Sequence, residues 1–229
     1  MKDRLIVALD VDNIKKAKKL VDTLYPYVKI FKIGSQLFTA CGPDVVKMVQ
    51  KKGAQVFLDL KFHDIPNTVA RSVALAAKLN VFMLNVHASG AGAMMKAAVA
   101  ARGKSKKPII IGVTVLTSMD KGSLQSVGVN RAPITQVIDL AKKTKGAGLD
   151  GVVSSAREIE AIRKACGKHF VIVTPGIRPL AGQANDQKRI ATPQQAIKSG
   201  ADYIVVGRPI TASKDPLRAA KKILGNMVI

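Results

Sequence analysis

Tryptophan is absent from this chain, and Phe and Tyr together supply only 4% of its 229 residues. So few flat rings disfavour a stacking platform for single-stranded nucleic acid. Cysteine is nearly absent too. Cys41 and Cys166 stand far apart, without the spacing of a disulfide framework or a zinc knuckle. They fit a reducing, cytoplasmic compartment. No apolar run approaches the roughly 18–20 residues of a membrane span, so no membrane partner is expected. The opening MKDRLIVALDVDN meets charge again within ten residues and is not expected to be a secretory leader. No linker or low-complexity stretch interrupts the chain, and one domain over 1–229 is expected.

Acidic residues are the other scarcity: 15 stand against 37 Lys and Arg, a formal charge of +22. That balance permits a nucleic acid, an anionic surface or a phosphorylated small molecule as partner. The lysines of 51–52, 104–107, 142–145 and 221–222 fall at or after the ends of helical patterns. Positive charge there complements the helix dipole. The excess therefore reads as solvated helix faces and a basic underside, and nucleic acid is not the expected partner.

Apolar material is plentiful, 48% of the chain, and its pattern alternates. Continuous runs rich in Val and Ile occur at 5–9, 28–33, 55–60, 82–86, 109–115, 151–154, 170–174 and 203–206. Unbroken apolar runs are what parallel strands covered on both faces require. Helical spacing fills the intervals, as at Val11, Ile14, Ala17, Val21 and Leu24. Eight such units in this length predict an α/β fold, a (β/α)8 TIM barrel; a doubly wound open sheet is the alternative. Two connections, 117–133 and 178–192, are too long for simple turns, and both follow strands on the face where barrels place their active sites.

Charge placed in or just beyond strands points to that site, because a buried charge needs compensation. Asp10 ends the first strand and Lys32 lies within the second. The third runs into FLDLKFHDIPNT, carrying Asp59, Lys61 and Asp64. Strand alternation puts Asp59 and Lys61 on one face. Three carboxylates and two ammonium groups are thus expected to converge on one mouth, as a catalytic array or, less usefully, a structural ion-pair network. TPGIR and VGRPI follow the seventh and eighth strands, bringing Gly176, Arg178, Gly207 and Arg208. Glycines that let amides approach an anion, beside guanidinium forks, suit a phosphate. His63 and His87 read as hydrogen-bonded supports rather than metal ligands, because Lys61 would put a competing cation among the donors; His169 is expected at the surface.

These segments carry a resemblance. ALD, FKIG, DLKFHDIPNT, NVHASG, VTVLTSM, TPGIRP and VGRPI, in this order, resemble the orotidine 5′-phosphate decarboxylase family, in its short monofunctional bacterial form, over nearly the whole chain. The resemblance implies decarboxylation of orotidine 5′-phosphate to UMP and CO2 with no cofactor and no metal. It implies a charged tetrad of Lys32, Asp59, Lys61 and Asp64, with Lys61 as proton donor. Asp10 and Lys32 match contacts to the ribose, and Thr117 or Ser118 a contact to the pyrimidine. Arg178, Gln187, Gly207 and Arg208 match a phosphate grip, with Gln187 on a closing loop. Asp64 and Thr68 are implied to reach the neighbouring subunit's site in a homodimer. A magnesium-dependent 3-keto-gulonate-6-phosphate decarboxylase is the nearest alternative, but it carries an acidic metal ligand where Lys32 stands here.

Overall fold

The computed structural model describes residues 4–178 and 191–227. Eight strands form in chain order: β1 Leu5–Ala8, β2 Ile30–Gly34, β3 Gln55–Phe62, β4 Met83–His87, β5 Ile109–Val113, β6 Gly151–Val153, β7 Val171–Thr174 and β8 Tyr203–Val206. Each pairs in parallel with the next, and β8 returns to β1 to close a barrel. The expected (β/α)8 TIM barrel is therefore observed. Strand ends move by no more than two residues from the apolar runs, because ladder pairing and not hydropathy sets them.

Both faces of the strands are buried. Ile6, Ile30, Phe57, Met83, Ile111, Val173 and Val205 pack inside the barrel. Their sequence neighbours, among them Val7, Phe31, Leu58, Leu84 and Ile204, face the helices in a second, larger cluster. Burial on two sides is why period 2 is invisible in the sequence of these strands.

Helix Ile14–Leu24 buries Ala17, Val21 and Leu24 and turns Lys15, Lys16, Lys18 and Lys19 to solvent. It starts after Val11 because Asn13 caps it, accepting from the Lys16 amide at 2.9 Å. Eleven α-helices form among the described residues, more than the eight expected. The connection 117–133 accounts for one, a short helix Lys121–Ser126 capped by Asp120. Lys51 and Lys145 do lie in last turns, whereas Lys221 stands inside helix Pro216–Gly225 with its ammonium 4.3 Å above the Tyr27 ring.

Two aspartates latch the amino ends of the strands. Asp150, just before β6, accepts from the Ile110 amide at 2.7 Å and pairs with Arg102. Asp202, just before β8, accepts from the Ile172 amide at 2.7 Å and from Arg163 at 2.5 Å. These ties anchor the floor of the barrel and leave the carboxyl ends of the strands to carry chemistry.

Candidate active site

A cavity of about 560 Å³ opens at the carboxyl ends of the strands. Its size suits a small ligand. Ala8, Phe57, Val113, Val153, Val173 and Val205 form its apolar floor, and polar groups stand around its rim. Asp10 comes from just beyond β1, Lys32 from β2, Asp59 and Lys61 from β3, and Thr117 and Ser118 from beyond β5. Gly176, Arg178, Gly207 and Arg208 come from beyond β7 and β8. Ten of the predicted positions thus meet in one place, and Gln36 joins them without having been predicted.

Lys32 is 9% exposed, yet its ammonium lies 3.0 Å from Asp10 Oδ1 and 3.2 Å from Asp59 Oδ2. Burial alone would lower its pKa, but Asp59 and Asp10 outweigh that and raise it. Gly34 makes room for this ammonium, since a Cβ there would come within 3.0 Å of Lys32 Nζ. Asp59, 8% exposed, also accepts from Lys61 Nζ at 2.7 Å through Oδ1. Burial would push the Asp59 carboxyl up, but the two ammonium groups and the hydrogen bonds of Lys61 and Asn85 hold it below the usual range. Asp59 and Lys32 are therefore both ionised at neutral pH, and Lys61 stands beside a fixed negative charge.

Asp59 and Lys61 meet as expected, but not by plain alternation. The β3–β4 ladder slips between Leu58 and Phe62, and Lys61 takes a left-handed backbone with φ 51°. Such a conformation is uncommon for a residue with a side chain. Asn85, inside the barrel on β4 and 1% exposed, holds it there, and sequence reasoning had not picked this residue out. Its Nδ2 donates to Asp59 Oδ1 at 2.6 Å, and its Oδ1 accepts from the Lys61 amide at 2.8 Å.

Two expectations need correction. Asp64 does not join the array within its own chain: it is exposed, and its Oδ1 accepts from the Ile65 amide at 2.6 Å. β3 ends at Phe62 and the chain turns into helix Pro66–Lys78, carrying Asp64 and the exposed Thr68 off the cavity wall. Among the described residues His63 and His87 are not tied by hydrogen bonds as supports; their rings stack, with centroids 5.1 Å apart. Burial first, then electrostatic repulsion from the neighbouring His63 and Lys61 side chains, hold His87 below the usual imidazole range against the pull of Asp59. Gln187 lies outside the described residues, as does most of 178–192.

On the β7–β8 side Arg178 is buried and donates to the Ile177 carbonyl at 3.0 Å, whereas Arg208 is exposed at the rim. Gly176 has φ 76°, which glycine alone adopts without strain. Ile177 bridges to Ala191, and the Arg178 amide donates to the Ala191 carbonyl at 2.9 Å, so both ends of the 178–192 connection stand together at the cavity. Among the described residues no three His, Cys, Asp or Glu side chains group as metal ligands. No helix among them is long and apolar enough to cross a membrane.

A closed barrel with a lysine–aspartate–lysine array at its carboxyl-end mouth, Lys32 and Asp59 buried and Lys61 facing the cavity, and arginines beside it, defines a (β/α)8 enzyme for small anionic substrates. The chain belongs to the orotidine 5′-phosphate decarboxylase / HUMPS family, whose sequence profile matches residues 3–223. It is 52% identical over 229 residues to the orotidine 5′-phosphate decarboxylase of Moorella thermoacetica, with 97% of this chain and 91% of the relative covered. The same figure, 52% over 230 residues, holds for the namesake from Syntrophotalea carbinolica, covering 98% of this chain and 94% of that one. The crystal structure of orotidine 5′-phosphate decarboxylase from Lactobacillus acidophilus superposes with a TM-score of 0.86 at 36% identity, covering 99% of this chain and 100% of that one.

Proposed function

We propose that this chain decarboxylates orotidine 5′-phosphate to UMP and CO2 in pyrimidine biosynthesis, without a cofactor. The observation that carries the reading is the Lys61 ammonium, fixed 2.7 Å from the buried Asp59 carboxylate on the cavity wall. Breaking the bond between C6 and the carboxylate releases CO2 and leaves an electron pair on C6 that the pyrimidine cannot spread well. A preorganised positive charge lowers the energy of that carbanion. Lys61 then gives C6 its proton as general acid, UMP forms, and the neutral amine regains a proton from water. Asp59 keeps Lys61 oriented, and Lys32, bridging Asp59 and Asp10, prevents the carboxylates from repelling each other. Asp10 and Lys32 are the ribose contacts in this reading, Thr117 and Ser118 the pyrimidine side, and Arg178, Gly207 and Arg208 the phosphate side. Gln187 completes the phosphate grip.

The absorbance of orotidine 5′-phosphate tests this directly. It should fall at full rate with protein exhaustively treated with EDTA. Loss of turnover that magnesium restores would favour a metal-dependent relative instead.

The protein works as a homodimer in the cytoplasm, in one domain spanning 1–229. Asp64 and Thr68 are both exposed and away from their own cavity. Ile65, just before helix Pro66–Lys78, and Leu75 within it are 66% and 63% exposed, and large apolar side chains left open to solvent on this segment support a protein interface. Both cysteines are free, which supports a reducing compartment. Mixing inactive Asp64→Ala and Lys61→Ala proteins should restore turnover, because a hybrid dimer holds one site with both wild-type groups. No recovery after demonstrated subunit exchange would return Asp64 to a role within its own chain.

A further inference from the structure

Between Leu58 and Phe62, β3 spends three residues where β4 spends one: Leu58 pairs with Leu84, Phe62 with Val86, and Asn85 alone faces 59–61. A bulge of this kind leaves backbone groups outside the ladder and re-aims side chains. Asn85 answers both consequences. Its carbonyl oxygen takes the Lys61 N–H that the ladder no longer engages, at 2.8 Å, where the backbone holds φ 51°. Its amide nitrogen takes Asp59 Oδ1 at 2.6 Å, the same oxygen that Lys61 Nζ meets at 2.7 Å. The two bonds need a donor and an acceptor 2 Å apart on one planar group, and the carboxylate and N–H on either side admit one amide orientation.

We propose that Asn85 is a positioning residue for the decarboxylation, clamping the Asp59–Lys61 pair so that the ammonium stands at C6. The proposal rests on the reading of Lys61 given above. Without the amide, the Lys61 N–H loses its acceptor in the left-handed turn, and Asp59 Oδ1 loses its bond from Asn85. Asn85 does not touch substrate in this account; it sits beneath the pair, above Met83, on the inward face of β4.

Two substitutions separate this role from a merely structural one. Asn85→Leu keeps the heavy-atom count and the branch point and removes both bonds; kcat should fall about 100-fold with KM little changed, as expected of an ångström-scale misplacement. Asn85→Asp puts a second carboxyl beside Asp59, so burial and like charge raise its pKa. Its acid form can still donate to Asp59 and accept from Lys61, and its ionised form cannot donate. That variant should approach the parent's kcat at low pH and lose it as pH rises, along a titration that the parent lacks. A kcat near the parent's in a folded Asn85→Leu protein, or an Asn85→Asp protein with the parent's pH profile, overturns the proposal. A crystal structure of either variant tests the clamp without substrate, and so separately from the identity of the reaction. In Asn85→Leu the contact of Lys61 Nζ with Asp59 Oδ1 should be lost; its retention at 2.7 Å would show that the clamp is not needed.

Discussion

Lys61→Ala should abolish turnover of orotidine 5′-phosphate almost completely, by at least about 10⁴-fold in kcat. The magnitude follows from the two tasks assigned to one group. General acid catalysis supplies about 10²–10⁴-fold, and a preorganised charge at the developing carbanion about 10²–10³-fold. Removing both at once costs at least about 5 kcal/mol of transition-state stabilisation. Ground-state binding should suffer far less, because the phosphate and ribose contacts lie on other strands. UMP should therefore still bind to the variant, measurable by titration calorimetry. The substitution also leaves Asp59 with Lys32 at 3.2 Å and Asn85 at 2.6 Å, so the carboxylate remains compensated and the barrel should fold. A Lys61→Ala protein that keeps most of its turnover would remove the lysine from the chemistry.

Arg208→Ala should cost about 2–4 kcal/mol in kcat/KM for orotidine 5′-phosphate, roughly 30- to 1000-fold, and little for the bare nucleoside orotidine. The guanidinium matches the geometry of phosphate oxygens, and losing a charge-assisted fork weakens both binding and whatever that binding drives. The phosphate is remote from C6, so its contacts act through orientation rather than at the reacting bond. Arg208 is the better choice over Arg178 for this test. It is exposed at the rim, whereas Arg178 is buried and bonded to the Ile177 carbonyl, so its loss would disturb the β7 loop as well. An equal loss on phosphorylated and bare substrates would show that Arg208 is not a phosphate contact.

Much of this architecture was legible in the residue order. Continuous runs such as IVA in β1 and VIVT in β7 can be buried on both faces only in a parallel sheet clothed by helices, so the barrel followed from hydropathy and count. Lys32 and Asp59 betrayed themselves as charges inside such runs. Their pairing at 3.2 Å followed from the need to compensate each other on neighbouring strands. The Gly–Arg pairs after β7 and β8 stood out because their place at strand ends is set by topology alone.

Other features were not legible, for one physical reason: they depend on partners far along the chain. Lys61 reads as the next inward residue of a regular strand, yet the slip of β3 against β4 decides its backbone, and no residue near it announces φ 51°. Asn85 is one polar residue in the run MLNVH, and only the bulge opposite gives its amide two bonds to make. Asp64 sits in the same short motif as Asp59, but the end of β3 turns it to solvent. Alone, the sequence determined that charge is placed within β2 and β3, how many strand–helix units close the barrel and which strand ends carry Gly–Arg pairs, because each depends on local residue type and period. The tertiary structure alone decided how Lys61 is aimed and which acids reach it, because ladder register and side-chain clamps exist only once distant strands lie side by side.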